Sequence, residues 1–374
     1  MTRTLHDLAS ATMVLPVYGT TVDEATDAQA AANRSIYGVD TAAEVIVRHR
    51  PAGLVFVERI PFHRGFEDVD LGMLGDSERF RAFVEGVQQT ARSEELEPLL
   101  IVADQEGGVV NRIPVSELPA PAVIGRTGSE EVAERAGELT CWAALAHGVG
   151  VVLGPLADLG LGNAAIGDRA FSSDPVMAAR LASAWVRGVQ KQGIRSVVKH
   201  WPGHGRATTD SHVSTPSLDI EADVWRAEER TPFDAAVDAD VAGVLVAHMR
   251  APTLDPTNMI ATQSPVIIDE LRSGLGFAGA IMSDALWMPS ARTSASNDAE
   301  AAIAVLNAGV DLLLAPPDPA ATAALAAQKP EMRGRFEAAE QWATAWRSTH
   351  PEVDRSIDVD ELNNEIEAFT RELG

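Results

Sequence analysis

The chain has 374 residues, 46% hydrophobic and 22% charged, and carries 54 acidic against 30 basic side chains for a formal net charge of −24. Such a composition describes a soluble globular protein with a large core. Its acidity excludes a nucleic-acid binder, which needs a basic face for phosphate contacts. The single cysteine, Cys141, excludes an intramolecular disulfide framework and reads as a small buried apolar residue.

Residues 1–14 lack the apolar core of a signal peptide, and no stretch approaches the ~20 apolar residues of a membrane span. The expected location is cytoplasmic, with no membrane partner.

Eight short, nearly continuous apolar runs recur along the chain, at 13–17, 53–58, 98–103, 150–155, 195–200, 243–249, 279–284 and 309–316. Continuous rather than alternating hydrophobicity predicts strands buried on both faces. Helical patterns fill the gaps. One spans Ser77 to Ser93, with Phe80, Phe83, Val84 and Val87 on one face, and another starts at Ser129. A third opens with Asp174 as N-cap and Pro175 as first helical residue and closes at Gly193, and a fourth runs from Ser264-Pro265 to near Gly276. Eight strands alternating with helices predict a single (β/α)8 TIM-type barrel over residues 1–318. Residues 319–374 are expected to form a helical C-terminal segment packed on it. Trp142 and Trp185 lie on helical patterns and read as packing residues, while Trp201 and Trp287, at strand ends, suit either sugar stacking or the barrel wall.

In this fold, active sites lie at the C-terminal ends of the strands. Polar residues cluster at those ends: Glu58-Arg59, Asp104-Gln105-Glu106, Lys199-His200, His248 and Asp284. The densest cluster is Lys199-His200-Trp201-Pro202-Gly203-His204-Gly205, followed by Asp210-Ser211-His212. Glycine and proline let such a loop turn and gather polar side chains over a common point. Asp284, at the end of an apolar strand, is poised as nucleophile, base or metal ligand; its plain alternative is a helix cap or a salt-bridged loop residue. Asp210 and His212 can face the same way in extended backbone, so that the carboxylate orients the imidazole as an acid/base dyad; otherwise they are exposed loop polars. Several histidines close together raise a zinc site as a rival, but they lack helical ligand spacing and Lys199 repels a cation. Asp104 and Glu106 with Gly107-Gly108 and Arg112, and Arg169 in the loop after the fourth strand, suit bidentate hydrogen bonding to sugar hydroxyls, against the plainer readings of a tight turn and a surface salt bridge.

Together these motifs, with Gly167-Asp168-Arg169-Ala170-Phe171, Leu271-Arg272 through Ser283-Asp284, and Asn307-Ala308-Gly309-Val310-Asp311, resemble the signature of the NagZ-like β-N-acetylglucosaminidases of glycoside hydrolase family 3. The resemblance covers most of residues 10–316 and implies a single (β/α)8 domain and a retaining double displacement. It implies Asp284 as nucleophile and His212, partnered by Asp210, as general acid and then base. It also implies that Asp104, Arg112, Arg169, Lys199 and His200 bind a terminal N-acetylglucosamine. The expected substrate is a small carbohydrate, either cell-wall-derived muropeptides of the kind met in peptidoglycan recycling or chitooligosaccharides. No cofactor or metal is implied. A phosphorylase using the same Asp/His pair, a β-glucosidase and a non-catalytic sugar-binding barrel are the alternatives; the glucosidases usually place a Glu acid/base in a second domain, for which this chain lacks room. Four residues depart from the pattern: Ala285 and Trp287 after the nucleophile position, Val109 after Gly107-Gly108, and Arg206 after Gly205.

Overall fold

The computed structural model describes residues 3–56, 76–207, 215–292 and 297–374. The expected rim pair Glu58 and Arg59 and the expected dyad Asp210 and His212 lie outside the described residues.

The eight apolar runs form eight parallel strands: β1 (Met13–Pro16), β2 (Gly53–Phe56), β3 (Leu100–Gly107), β4 (Val151–Leu156), β5 (Arg195–Trp201), β6 (Gly243–Val246), β7 (Ala280–Ser283) and β8 (Leu313–Leu314). They pair in chain order, β8 pairs with β1, and the bridge Met282–Leu312 joins β7 to the approach of β8, so the sheet comes round as a barrel. The third strand runs longer than its apolar part, because residues 105–107 fold back on the short strand Val110–Asn111.

Both faces of these strands are apolar, yet the faces pack against different partners. Val14, Val55, Leu100, Val102, Val151, Leu153, Val197, Leu245, Met282 and Leu314 form one cluster inside the barrel. Their strand neighbours Leu15, Leu54, Ile101, Val152, Val198, Val244 and Ile281 join a larger cluster with the surrounding helices. Since successive side chains point to opposite faces, every second residue belongs to the interior.

The expected caps are present. Asp76, Ser129, Asp174 and Ser264 each accept a hydrogen bond from a backbone N–H of the first turn of their helices, at 3.1, 3.2, 2.7 and 3.1 Å. The helices Glu130–Ala146 and Pro175–Gln190 approach closely through glycines. A Cβ on Gly137 would stand 2.3 Å from the Trp185 carbonyl, and one on Gly188 2.1 Å from that of Glu134, so no larger residue fits either place. Trp185 and Cys141 are buried as expected, whereas Trp142 is 37% exposed on the outer side of its helix. Apolar periodicity over a long helix assigns a residue near the edge of the stripe only weakly.

Beyond β8 the chain forms helices Pro319–Ala326, Arg333–Arg347 and Val359–Leu373. Ala343 and Trp346 enter the interior cluster, and the Arg195 guanidinium lies 5.6 Å from the Trp346 ring, so this helix closes the N-terminal mouth of the barrel. Asp311 fixes the neighbouring turn: its buried carboxylate accepts from Arg272 at 2.6 Å, Arg335 at 2.9 Å and the Ile281 N–H at 2.9 Å. No helix among the described residues is long and apolar enough to cross a membrane.

Two histidines in this frame are held neutral. Burial pushes His147 down to about 4, its ring bonding the Ala143 carbonyl and the Ser77 hydroxyl, each at 2.8 Å. Burial, aided by Arg195, pushes His350 down to about 3. Both folded values lie below the unfolded value of ~6.5, so the unfolded chain binds more protons as pH falls from there. The contribution of these two groups should therefore be intact above pH 7 and decline from about pH 6.5 towards 4. Each costs on the order of 1–2 kcal/mol by pH 5. Urea unfolding at pH 7.5 and 5 measures this: His350→Gln should shift the difference in stability between the two pH values by on the order of 1–2 kcal/mol in favour of pH 5, relative to the unsubstituted chain; an unchanged difference rejects the assignment.

Candidate active site

The interior side chains of β3, β5 and β7 change from apolar to charged at the C-terminal ends of the strands. Val102 is followed two residues later by Asp104 and four later by Glu106, Val197 by Lys199, and Met282 by Asp284. The pleat therefore carries these four side chains to the inside of one mouth.

Lys199 and Glu106 are nearly inaccessible, and Asp104 is partly exposed at the mouth. The Lys199 Nζ donates to Asp104 Oδ1 at 2.7 Å and lies 2.5 Å from Glu106 Oε1. Arg169, from the loop after β4, holds Glu106 in a fork with Nε on Oε2 and Nη2 on Oε1, both at 2.8 Å, and anchors itself on the Ala165 carbonyl. Burial opposes ionisation of Glu106, but Lys199 and Arg169 outweigh it and hold the carboxyl at about 2. Burial likewise favours a neutral Lys199, and Asp104 and Glu106 reverse this, raising the ammonium above its ordinary range. Glu106, Lys199 and Arg169 are thus charged near neutral pH, each satisfied by a partner of opposite sign.

A register shift between Lys199 and Trp201 in the pairing of β5 with β6 reorients the residues that follow. His200 turns to Asp158, whose Oδ2 lies 2.6 Å from Nδ1 and accepts the His200 N–H at 3.2 Å; Oδ1 accepts the His204 N–H at 2.6 Å. Burial would raise Asp158, yet His200 and His204 hold it below the usual carboxylate range. Asp158 accepts from the Nδ1–H of His200, which fixes the orientation of the imidazole. Trp201 is fully buried, donates to the Ile267 carbonyl at 3.1 Å and packs edge-on to Trp225 and Phe233. It belongs to the wall, and sugar stacking is excluded for it. Trp287 is half-buried on the interior cluster.

The Asp104 carbonyl and the Gln105 side chain receive the Arg112 N–H at 3.1 and 2.8 Å, and Arg112 Nη1 donates to the Val109 carbonyl. Gly107 makes this turn with φ +95°, where a Cβ would meet the Pro119 carbonyl at 2.3 Å. Val109 at the tip is 80% exposed. On the far side of the His200 loop, Arg206 pairs with Glu228, and its Nε lies 3.1 Å from the fully buried Glu229. Burial, reinforced by Asp158, lifts Glu229 to about 8.

Asp284 follows β7 with its N–H on the Val246 carbonyl at 2.9 Å, and its Oδ1 accepts the Ala285 N–H at 2.7 Å. The structure thus gathers Asp104, Arg169, Lys199 and His200, with Arg112 on the adjoining hairpin, and sets Asp284 at the same barrel mouth. Glu106 stood in the polar run that ends the third strand, and its inward register, two residues past Asp104, was visible too. Two further positions of the mouth escape a motif reading. Asp158 and Glu229 sit in ordinary-looking sequence, and only their burial against the His200 loop marks them. Among the described residues no three of His, Cys, Asp or Glu converge as a metal site would require.

Glu106→Gln should leave two buried cations short of their counter-charge. The expected loss is ~3–5 kcal/mol in urea unfolding, against under ~0.5 kcal/mol for Glu372→Gln on the surface. A loss below about 1 kcal/mol for Glu106→Gln would show that the cations find other partners.

Comparison with known proteins follows the same lines. The profile of the glycosyl hydrolase family 3 N terminal domain matches residues 42–341. A β-hexosaminidase of Stenotrophomonas maltophilia strain K279a is 38% identical over 226 residues, covering 58% of this chain and 67% of that protein. A β-hexosaminidase of Tolumonas auensis is 34% identical over 283 residues, covering 74% and 79%. Among solved structures, a family 3 β-N-acetylglucosaminidase from Paenibacillus sp. FPU-7 superposes with a TM-score of 0.82 at 24% identity, over 98% of this chain and 68% of that one. A family 3 glycosyl hydrolase of Mycobacterium smegmatis gives a TM-score of 0.71 at 25% identity, over 91% and 96%. With four-fifths of its length matched by the family profile, the chain belongs to glycosyl hydrolase family 3.

Proposed function

We propose that the protein is a retaining exo-β-N-acetylglucosaminidase. The observation that carries the reading is the shared inward register of Asp104, Lys199 and Asp284, which sets an ion pair and a strand-end carboxylate at one mouth. The curated relatives named β-hexosaminidase support the sugar class.

Asp104 accepts from hydroxyls of the terminal sugar, while Lys199, Arg169, Arg112 and the His200 imidazole supply further polar contacts. Asp284 attacks the anomeric carbon as His212 gives its proton to the departing glycosidic oxygen, forming a glycosyl ester and releasing the aglycone. A water then loses a proton to His212 and attacks the same carbon, which frees the sugar and restores both groups. Two inversions retain the configuration. Asp210 orients His212; the roles of these two rest on the sequence motif. A histidine suits this work because its ordinary pKa already lies near the working pH. The aglycones in view are muropeptide fragments and chitooligosaccharides.

Incubation with 4-nitrophenyl β-N-acetylglucosaminide, with and without phosphate, tests the reading by its products. Free N-acetylglucosamine formed without phosphate is expected, and Asp284→Ala should lower kcat by ~10³-fold or more. Sugar 1-phosphate formed only with phosphate would replace hydrolysis by phosphorolysis. Full activity in Asp284→Ala removes the nucleophile assignment.

A further inference from the structure

His248 is fully buried just beyond β6, and so is its partner Thr262. The ring places Nδ1 2.8 Å from Thr262 Oγ1 and Nε2 3.2 Å from the Ala285 carbonyl. A carbonyl only accepts, so Nε2 carries the proton, and the Thr262 hydroxyl then donates to Nδ1. Burial holds the imidazole below its ordinary pKa and therefore neutral, although the nearby Asp284 acts in the opposite sense.

The residue that His248 grips is the one that orients Asp284. The Ala285 carbonyl takes the His248 proton and also the Met288 N–H at 3.0 Å, while the Ala285 N–H bonds Asp284 Oδ1 at 2.7 Å. On either side, the Asp284 N–H is fixed to the Val246 carbonyl and the Leu286 N–H to the Leu314 carbonyl, both at 2.9 Å. The Ala285 carbonyl and the Leu286 N–H lie in one planar peptide, which is therefore held from both sides, by His248 and Met288 at the oxygen and by Leu314 at the nitrogen. Fixing that plane limits rotation about the Ala285 Cα, and with it the swing of the N–H, one peptide earlier, that bonds the carboxylate. A misplacement of ~1 Å at a reacting group is enough to cost ~100-fold in rate.

We infer that His248, steadied by Thr262, is a positioning residue for Asp284, acting through the Ala285 backbone rather than by touching substrate. The inference rests on the reading of Asp284 as the nucleophile. A neutral imidazole fits this role better than a cation would. It supplies a directional donor without pairing with the carboxylate and blunting its nucleophilicity.

The test compares His248→Phe, His248→Gln, Thr262→Val and the double variant His248→Phe/Thr262→Val in hydrolysis of 4-nitrophenyl β-N-acetylglucosaminide, with melting temperatures in parallel. His248→Phe should lower kcat ~10- to 100-fold with KM within about threefold, since ground-state contacts to the sugar are untouched. Thr262→Val, which keeps the side-chain shape, should lose about three- to tenfold in kcat, and His248→Gln, which keeps a donor, should recover part of the loss. The double variant should be no slower than His248→Phe, because both act through one chain of contacts. Unchanged kcat in Thr262→Val and His248→Gln, or multiplying losses in the double variant, overturns the inference; so does a loss confined to the melting temperature. Asp284→Ala separates the two levels. If it is inactive while the His248 and Thr262 variants are unaffected, the inference alone fails. If it is active, the nucleophile reading fails and the inference with it.

Discussion

A fully buried carboxylate, Glu106, is the constraint on which the mouth of the barrel depends. An ionised carboxylate inside a protein is tolerated only when opposite charge and hydrogen bonds replace its hydration. Glu106 meets that demand with Lys199 from β5 and Arg169 from the loop after β4. Satisfying this one group fixes two cations from separate segments. Lys199 in turn carries Asp104 through its second bond, so a buried ion cluster sets the geometry of the groups that face solvent.

The same economy of cause holds for the barrel as a whole. A pleated strand delivers every second side chain to the interior, and a closed sheet gives those side chains a single space to fill. Lower down, valine, leucine and methionine fill it, and Trp346 seals the N-terminal end. One step above Val102, Val197 and Met282 the identical register carries Asp104, Lys199 and Asp284. A slip of one residue in any of these strands would send its charged side chain into the apolar layer beneath the helices, where it has no partner. The apolar interior and the polar mouth thus specify each other.

Much of this was legible in the sequence. Continuous apolar runs separated by capped helices give the barrel, because strand burial on both faces and N-cap chemistry are local properties of the chain. Asp104, Lys199 and Asp284 were visible as charge at strand ends. Their inward direction was also legible, had the parity been counted from the apolar residues before them, and that count turns Glu106 inward as well. Asp158 was not legible: an acidic residue after a strand reads as solvated loop until His200 and His204 are folded against it. Glu229 is hidden for the same reason, since its burial depends on Gly203 and Arg206 arriving from another part of the chain. Trp201 stayed open between wall and sugar platform because a bulge, which no local pattern announces, decides the direction of its ring.

The two carboxylates that matter most for the proposed chemistry have different tasks. Glu106 must stay charged in a dry place, so two cations neutralise it and hold it in a fork. A nucleophile needs direction, because a misplacement of ~1 Å at a reacting atom costs much of the rate. For Asp284 the main chain supplies part of that direction: a backbone N–H on Oδ1, a strand carbonyl on its own N–H, and an uncharged histidine behind the next peptide. The fork on Glu106 draws on Lys199 of β5 and Arg169 of the loop after β4, while the end of β7 is aimed through its own backbone.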